Sequence, residues 1–114
     1  MAVSNWKEGD VEVLEFKEKL VCGAGDVELR NLFGELIDGG ARIFVLDLHD
    51  VPYIDSAVVG EIVSSAKRAK QAGGELRLVV EAKGRVEDML RLCSLDRVLD
   101  LYPDREAALK KQTD

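Results

Sequence analysis

The chain has one histidine and two cysteines in 114 residues. Cys22 and Cys93 lie far apart, lack C-x-x-C spacing and have only His49 to join them, a poor set of metal ligands. A disulfide framework is not expected either, and in a reducing compartment both are read as free, buried thiols. An excess of basic residues is missing too. With 16 Lys and Arg against 22 Asp and Glu, the net charge is −6. That argues against binding to nucleic acid, since no cations are spare to replace phosphate counterions. It favours solubility and a basic partner. No apolar run approaches the roughly 20 residues needed to cross a bilayer. The start of the chain has no basic stretch leading into an apolar one, so no signal peptide is expected and a cytoplasmic location is. Internal repeats and low-complexity segments are also missing.

What is present suits one globular unit. Hydrophobic residues make up 46% and charged residues 33% of the chain, a balance that folds. The length allows a single core, so one domain over residues 1–114 is expected, with a polar tail from about residue 110 that frays.

The pattern of residues alternates strands with helices. Val3 to Trp6 and Val11 to Phe16 read as strands around a Gly9-Asp10 turn, which predicts a hairpin. Leu20 to Cys22 reads as a continuation of the second strand after a kink. Asp26 is placed to cap a helix marked by Leu29, Leu32, Phe33, Leu36 and Ile37 and ended by Gly39-Gly40. Ile43 to Leu48 reads as a buried strand. Val59, Ile62, Val63 and Ala66 give the next helix its stripe, and Gly73-Gly74 stops it. Leu76 to Val80 is a strand, Val86, Met89, Leu90 and Cys93 mark a short helix, and Val98 to Tyr102 is a last strand. Pro103-Asp104 then opens a terminal helix with Ala107, Ala108 and Leu109 on one side. The fold class is α/β: a mixed, mostly parallel sheet with helices and an N-terminal β-hairpin.

In such a sheet, functional groups gather where parallel strands end and helices begin. The segment from Asp47 to Ser56 lies there. Ser56 opens an amphipathic helix whose first N–H groups lack intrahelical partners. Its oxygen can cap them, the common role of a serine in that place. It can equally carry a phosphate of about −1.5 to −2 charges, favoured by the helix dipole and opposed by Asp47, Asp50 and Asp55. A phosphate there is expected to block a contact rather than refold the chain. Gly60, inside the helix, implies a close approach, either by a partner or by the helix to its own sheet. The carboxylates of Asp47, Asp50 and Asp55 are also of a kind that holds Mg²⁺, which would suit a small-molecule binder or enzyme. No nucleophile with an adjacent base is in view, and His49 reads as a solvated loop imidazole. Trp6 is expected to cover a core edge, and Lys67-Arg68-Ala69-Lys70 to be a solvated helix face or a contact for an acidic patch.

These residues also resemble a known family, the STAS domains of the anti-sigma factor antagonist type. Its Val-Leu-Asp-Leu strand and Ile-Asp-Ser-Ser/Ala-Gly-Leu-Gly motif are similar to Val45-Leu46-Asp47-Leu48 and to Ile54-Asp55-Ser56-Ala57-Val58-Val59-Gly60. The Gly-Gly-x-Leu strand entry is matched by Gly73-Gly74-Glu75-Leu76, and the likeness continues through Leu109. Glu18 to Gly23 departs from the family pattern, and Val58 stands where the family has Gly.

The resemblance implies a non-enzymatic switch without cofactors. Unphosphorylated, such a domain binds an anti-sigma factor that is also a serine kinase, and so frees a sigma factor. ATP-dependent phosphorylation of the serine, here Ser56, breaks the complex, and a PP2C-type phosphatase using Mn²⁺ or Mg²⁺ restores it. The implied partner surface is Asp47, Asp55, Ser56, Ala57, Val58 and Gly60. Val58 faces either that partner or the core. The alternative within the family is a scaffold subunit that associates with other STAS domains.

Overall fold

A computed structural model describes residues 3–110. Two strands open the chain, β1 (Val3–Glu8) and β2 (Val11–Phe16), paired antiparallel as the expected hairpin. Then follow α1 (Gly25–Asp38), β3 (Ile43–Asp47), α2 (Ser56–Gln71), β4 (Glu75–Val79), α3 (Arg85–Leu92), β5 (Asp100–Tyr102) and α4 (Arg105–Lys110). The sheet runs β1-β2-β3-β4-β5, with β2 to β5 mutually parallel. This is the mixed α/β sheet that the sequence predicts. Of the tail expected to fray, Lys110 ends α4, and residues 111–114 lie outside the described residues.

Strand alternation sorts side chains between two cores. Leu14, Phe16, Phe44, Leu46, Leu48 and Leu78 join α1, α2 and α3 in the larger one. Val13, Val45 and Val79 face the other way and meet Ala108 of α4, with Trp6 and Tyr102 packed alongside. Trp6 covers that core edge, as expected. Both sheet faces are covered, so β3 reads as a continuous apolar run.

Several local expectations are corrected. Leu20 does not extend β2. It is fully buried and forms a single parallel bridge with Ile54, its N–H donating to Tyr53 O at 3.0 Å. Asp26 does not cap α1: Ala24 is the N-cap, and Asp26 accepts the Gly23 N–H at 2.8 Å from within the first turn. The fully buried positions of α2 are Val58, Ile62, Ser65 and Ala69, so its inner face is offset from the apolar stripe. The small residues Ser65 and Ala69 turn inward, while Val63 and Ala66 are half-buried. Within the basic run, Arg68 stacks 5.7 Å from the Phe33 ring centre and Ala69 is buried, while Lys67 and Lys70 remain exposed.

The last strand begins late because the backbone N–H groups of Val98 and Leu99 turn back to Leu95 O, closing a short 3₁₀ turn. Cys22 and Cys93 are free, but both are exposed rather than buried. Val86 and Leu90 take the inward side of α3, leaving Cys93 just beyond its end. Among the described residues, one charged side chain is fully buried. Arg77 on β4 donates to Glu75 Oε2 at 2.8 Å and to Ala108 O at 2.9 Å, anchoring α4 on the sheet. A buried guanidinium persists only with such partners.

Candidate functional site

The site is the turn from β3 into α2. Asp55, not Ser56, is the N-cap of α2. Its backbone is extended (φ −101°, ψ −179°), and its Oδ1 accepts the Val58 N–H at 3.1 Å. The capping side chain belongs to the residue just before the first helical one. Ser56 is that first helical residue, so the expected capping role passes to its neighbour. Ser56 is exposed, and its hydroxyl forms no hydrogen bond among the described residues.

Asp55 has a second task. Its Oδ2 accepts the Cys22 N–H at 2.8 Å, and its own N–H donates to Leu20 O at 3.4 Å. The Leu20–Gly23 turn is thereby fastened beside the start of α2. The hydrogen bond from Cys22, assisted by that from Val58, holds the Asp55 carboxyl below the ordinary carboxylate range. Asp55 is therefore ionised at neutral pH, beside the Ser56 hydroxyl.

Three sequence expectations are resolved here. Asp47 is not beside Ser56. Strand alternation sends it through the sheet toward α4, where it is 5% exposed. There its Oδ2 accepts from Arg105 Nε at 3.0 Å, while Oδ1 accepts the His49 N–H at 2.9 Å. Val58 is fully buried in the larger core, so a partner cannot reach it. Gly60 is exposed one turn below Ser56, and a Cβ added there would meet nothing within 4 Å. Tight packing of α2 on its own sheet therefore does not account for this glycine. Ala57 is half-buried between Ser56 and the core.

The three loop carboxylates do not converge. Asp47 is engaged by Arg105, Asp55 by backbone N–H groups, and Asp50 by His49 Nδ1 at 3.0 Å. The Asp50 hydrogen bond raises the His49 imidazole pKa above its ordinary value, and the same bond lowers that of Asp50. Among the described residues, no three His, Cys, Asp or Glu side chains gather to hold a metal ion. A cavity of about 540 Å³, lined by Val63, Lys67, Leu76 and Val98 among others, lies at the far end of α2 from Ser56.

Sequence reasoning missed two parts of this surface. Tyr53 is 44% exposed in the loop before Ser56, and Cys22 stands exposed across from Asp55. A large aromatic next to Pro52 in a polar loop was the available signal for the first. No local pattern signals the second, because the contact joins residues 33 apart.

An exposed serine heading α2, behind an aspartate cap and on a five-stranded sheet of this order, can be compared with known proteins. The STAS domain family matches residues 7–108. The chain belongs to the STAS domain family. Among relatives of this STAS domain is a candidate anti-sigma factor antagonist of Thermotoga neapolitana, 35% identical over 102 residues, covering 90% of this chain and 89% of that one. The crystal structure of a candidate anti-sigma factor antagonist of Thermotoga maritima superposes with a TM-score of 0.86 at 29% identity, covering 95% and 92% of the two chains. The phosphorylated form of SpoIIAA, a Bacillus cell fate determinant, gives a TM-score of 0.70 at 14% identity, covering 95% and 96%. At that identity the likeness shows the fold alone. Among the described residues, no helix of this STAS domain is long and apolar enough to cross a membrane.

Proposed function

We propose that this STAS domain is an anti-sigma factor antagonist, a non-enzymatic cytoplasmic switch controlled at Ser56. In its unphosphorylated form it docks an anti-sigma factor that is also a serine kinase, and the sigma factor is released. The kinase then transfers the γ-phosphoryl group of ATP to the Ser56 hydroxyl, and the complex parts. A PP2C-type phosphatase resets the protein by hydrolysis.

The observation that carries this reading is the division of labour between Asp55 and Ser56. Asp55 caps α2 and fastens the Leu20–Gly23 turn, which leaves the Ser56 hydroxyl exposed and uncommitted. A serine engaged as the cap would have to give up its hydrogen bond to be phosphorylated. The outer side of α2 continues from Ser56 to Gly60 and Ser64, all exposed and small, so a partner can approach the helix closely. Tyr53 adds an exposed aromatic at the rim.

The phosphate would act by charge and bulk. The start of α2 attracts an anion, which stabilises the phosphorylated form locally. Asp55, already ionised, opposes a second negative group beside it. The hydrogen bonds of Asp55 do not involve Ser56, so the fold stays and only the surface changes. Val58 leaves this surface intact, since its side chain lies inside.

Binding of the purified anti-sigma factor kinase tests the proposal by calorimetry. Ser56→Ala should bind like the unmodified protein, and Ser56→Asp should bind at least about tenfold more weakly, roughly 1.4 kcal/mol. Equal binding by both variants, or binding only to other STAS domains, would contradict the switch and favour a scaffold.

A further inference from the structure

Arg105, the first residue of α4, sits on the face of the sheet opposite α2, yet it is tied to the Ser56 loop. Its guanidinium meets three neighbouring strands. It lies 4.9 Å from the centre of the Trp6 ring on β1, its Nη2 pairs with Glu15 on β2, and its Nε donates to Asp47 Oδ2 on β3 at 3.0 Å. Glu15 and Asp47 are direct partners in the parallel β2·β3 register. Two carboxylates side by side on one sheet face repel unless a cation bridges them. Arg105 is that cation, and its planar fork serves both at once.

The second oxygen of Asp47 holds the loop. Asp47 Oδ1 accepts the His49 N–H at 2.9 Å, at the first exposed residue after β3. The far end of the loop is fastened separately, by the Leu20 bridge and by Asp55. The segment that presents Ser56 is thus held from two sides, one of which runs through the sheet to α4. Without the guanidinium, Asp47 would face Glu15 with only the exposed Lys17, 4.0 Å from Glu15 Oε1, to offset the repulsion. It would then turn away, which weakens its acceptance of the His49 N–H.

We infer that Arg105 is a positioning residue that, through Asp47, holds the β3–α2 loop in the conformation that presents Ser56. The link to phosphorylation rests on the proposed function, whereas the structural link does not. It also gives Asp47 a role inside the protein in place of the expected contact with a partner.

The test follows amide hydrogen exchange by NMR in the unmodified chain, Arg105→Gln, Arg105→Lys, Asp47→Asn and the Arg105→Gln/Asp47→Asn double variant. Arg105→Gln should speed exchange at the His49 amide about tenfold, the scale of losing a hydrogen bond to a charged group. It should also shift the Ser56 amide resonance, while Val45 and Leu78 in the sheet keep their relative protection. Arg105→Lys should restore part of the His49 protection, and the double variant should match Asp47→Asn. Unchanged His49 exchange in Arg105→Gln, or an equal rise across the whole sheet, would overturn the inference. If Arg105→Gln does not fold, Arg105→Lys decides alone, by a rise at His49 without one at Val45. A second arm measures transfer of phosphate from ATP by the anti-sigma factor kinase. Slower modification of Arg105→Gln than of the unmodified chain supports the inference, and equal rates contradict it. If the unmodified chain takes no phosphate, the proposed switch fails, and the exchange data still decide the role of Arg105.

Discussion

Asp55 Oδ2 accepts the backbone N–H of Cys22 at 2.8 Å, while Oδ1 of the same carboxylate caps α2. One side chain therefore joins two segments that are 33 residues apart in sequence and leaves Ser56 unencumbered. Replacing Asp55 by Ala removes both bonds and is expected to cost about 1–3 kcal/mol. Asn keeps one acceptor oxygen and should cost less. Urea unfolding of both variants checks the order.

The same carboxylate gives a pH dependence of known sign. Its pKa in the folded state lies below the ordinary value of 3.8, held down first by the Cys22 hydrogen bond. A depressed carboxyl stabilises the fold fully above its unfolded pKa, and that stabilisation is lost as pH falls through the folded value. The stability gap between the unmodified chain and Asp55→Asn should hold from neutral pH down to about pH 4 and then shrink, as denaturant midpoints at a series of pH values will show.

Much of this site is legible in the sequence. The apolar run of β3, the loop with Pro52 and the Asp-Ser pair before an amphipathic helix place Ser56 at the head of α2, where the structure has it. The direction of Asp47 is hidden because both faces of β3 are covered, and a strand buried on both sides shows no alternation of polar and apolar residues. The inner face of α2 is hidden because two of its fully buried positions, Ser65 and Ala69, are small residues and not large apolar ones. The Leu20 bridge and the Cys22 contact depend on tertiary structure alone, and strand propensity around Leu20 points instead to an extension of β2.

Val58 fills the core at the first turn of α2. Reverting it to the glycine of the family pattern removes buried methyl groups and weakens the helix. Val58→Gly is expected to lose about 2–4 kcal/mol. Its affinity for the proposed partner kinase, measured where the variant is still folded, should stay within about twofold, because position 58 is not on the surface.

Gly60 should behave in the opposite way. It is exposed, with open space where a Cβ would go. Gly60→Ala should raise stability by up to about 1 kcal/mol through helix propensity. Gly60→Leu should leave the fold intact and weaken kinase binding at least about tenfold if the partner packs on this stripe. Calorimetry with thermal unfolding of the same samples separates the two effects.

The proposed switch depends on phosphorylation of Ser56. Intact-mass spectrometry after incubation with ATP, Mg²⁺ and the anti-sigma factor kinase tests it most directly. A mass gain of one phosphate is expected, mapped to Ser56 by peptide sequencing, absent in Ser56→Ala and reversed by a PP2C-type phosphatase. No gain in the unmodified chain, or the same gain in Ser56→Ala, would contradict the switch.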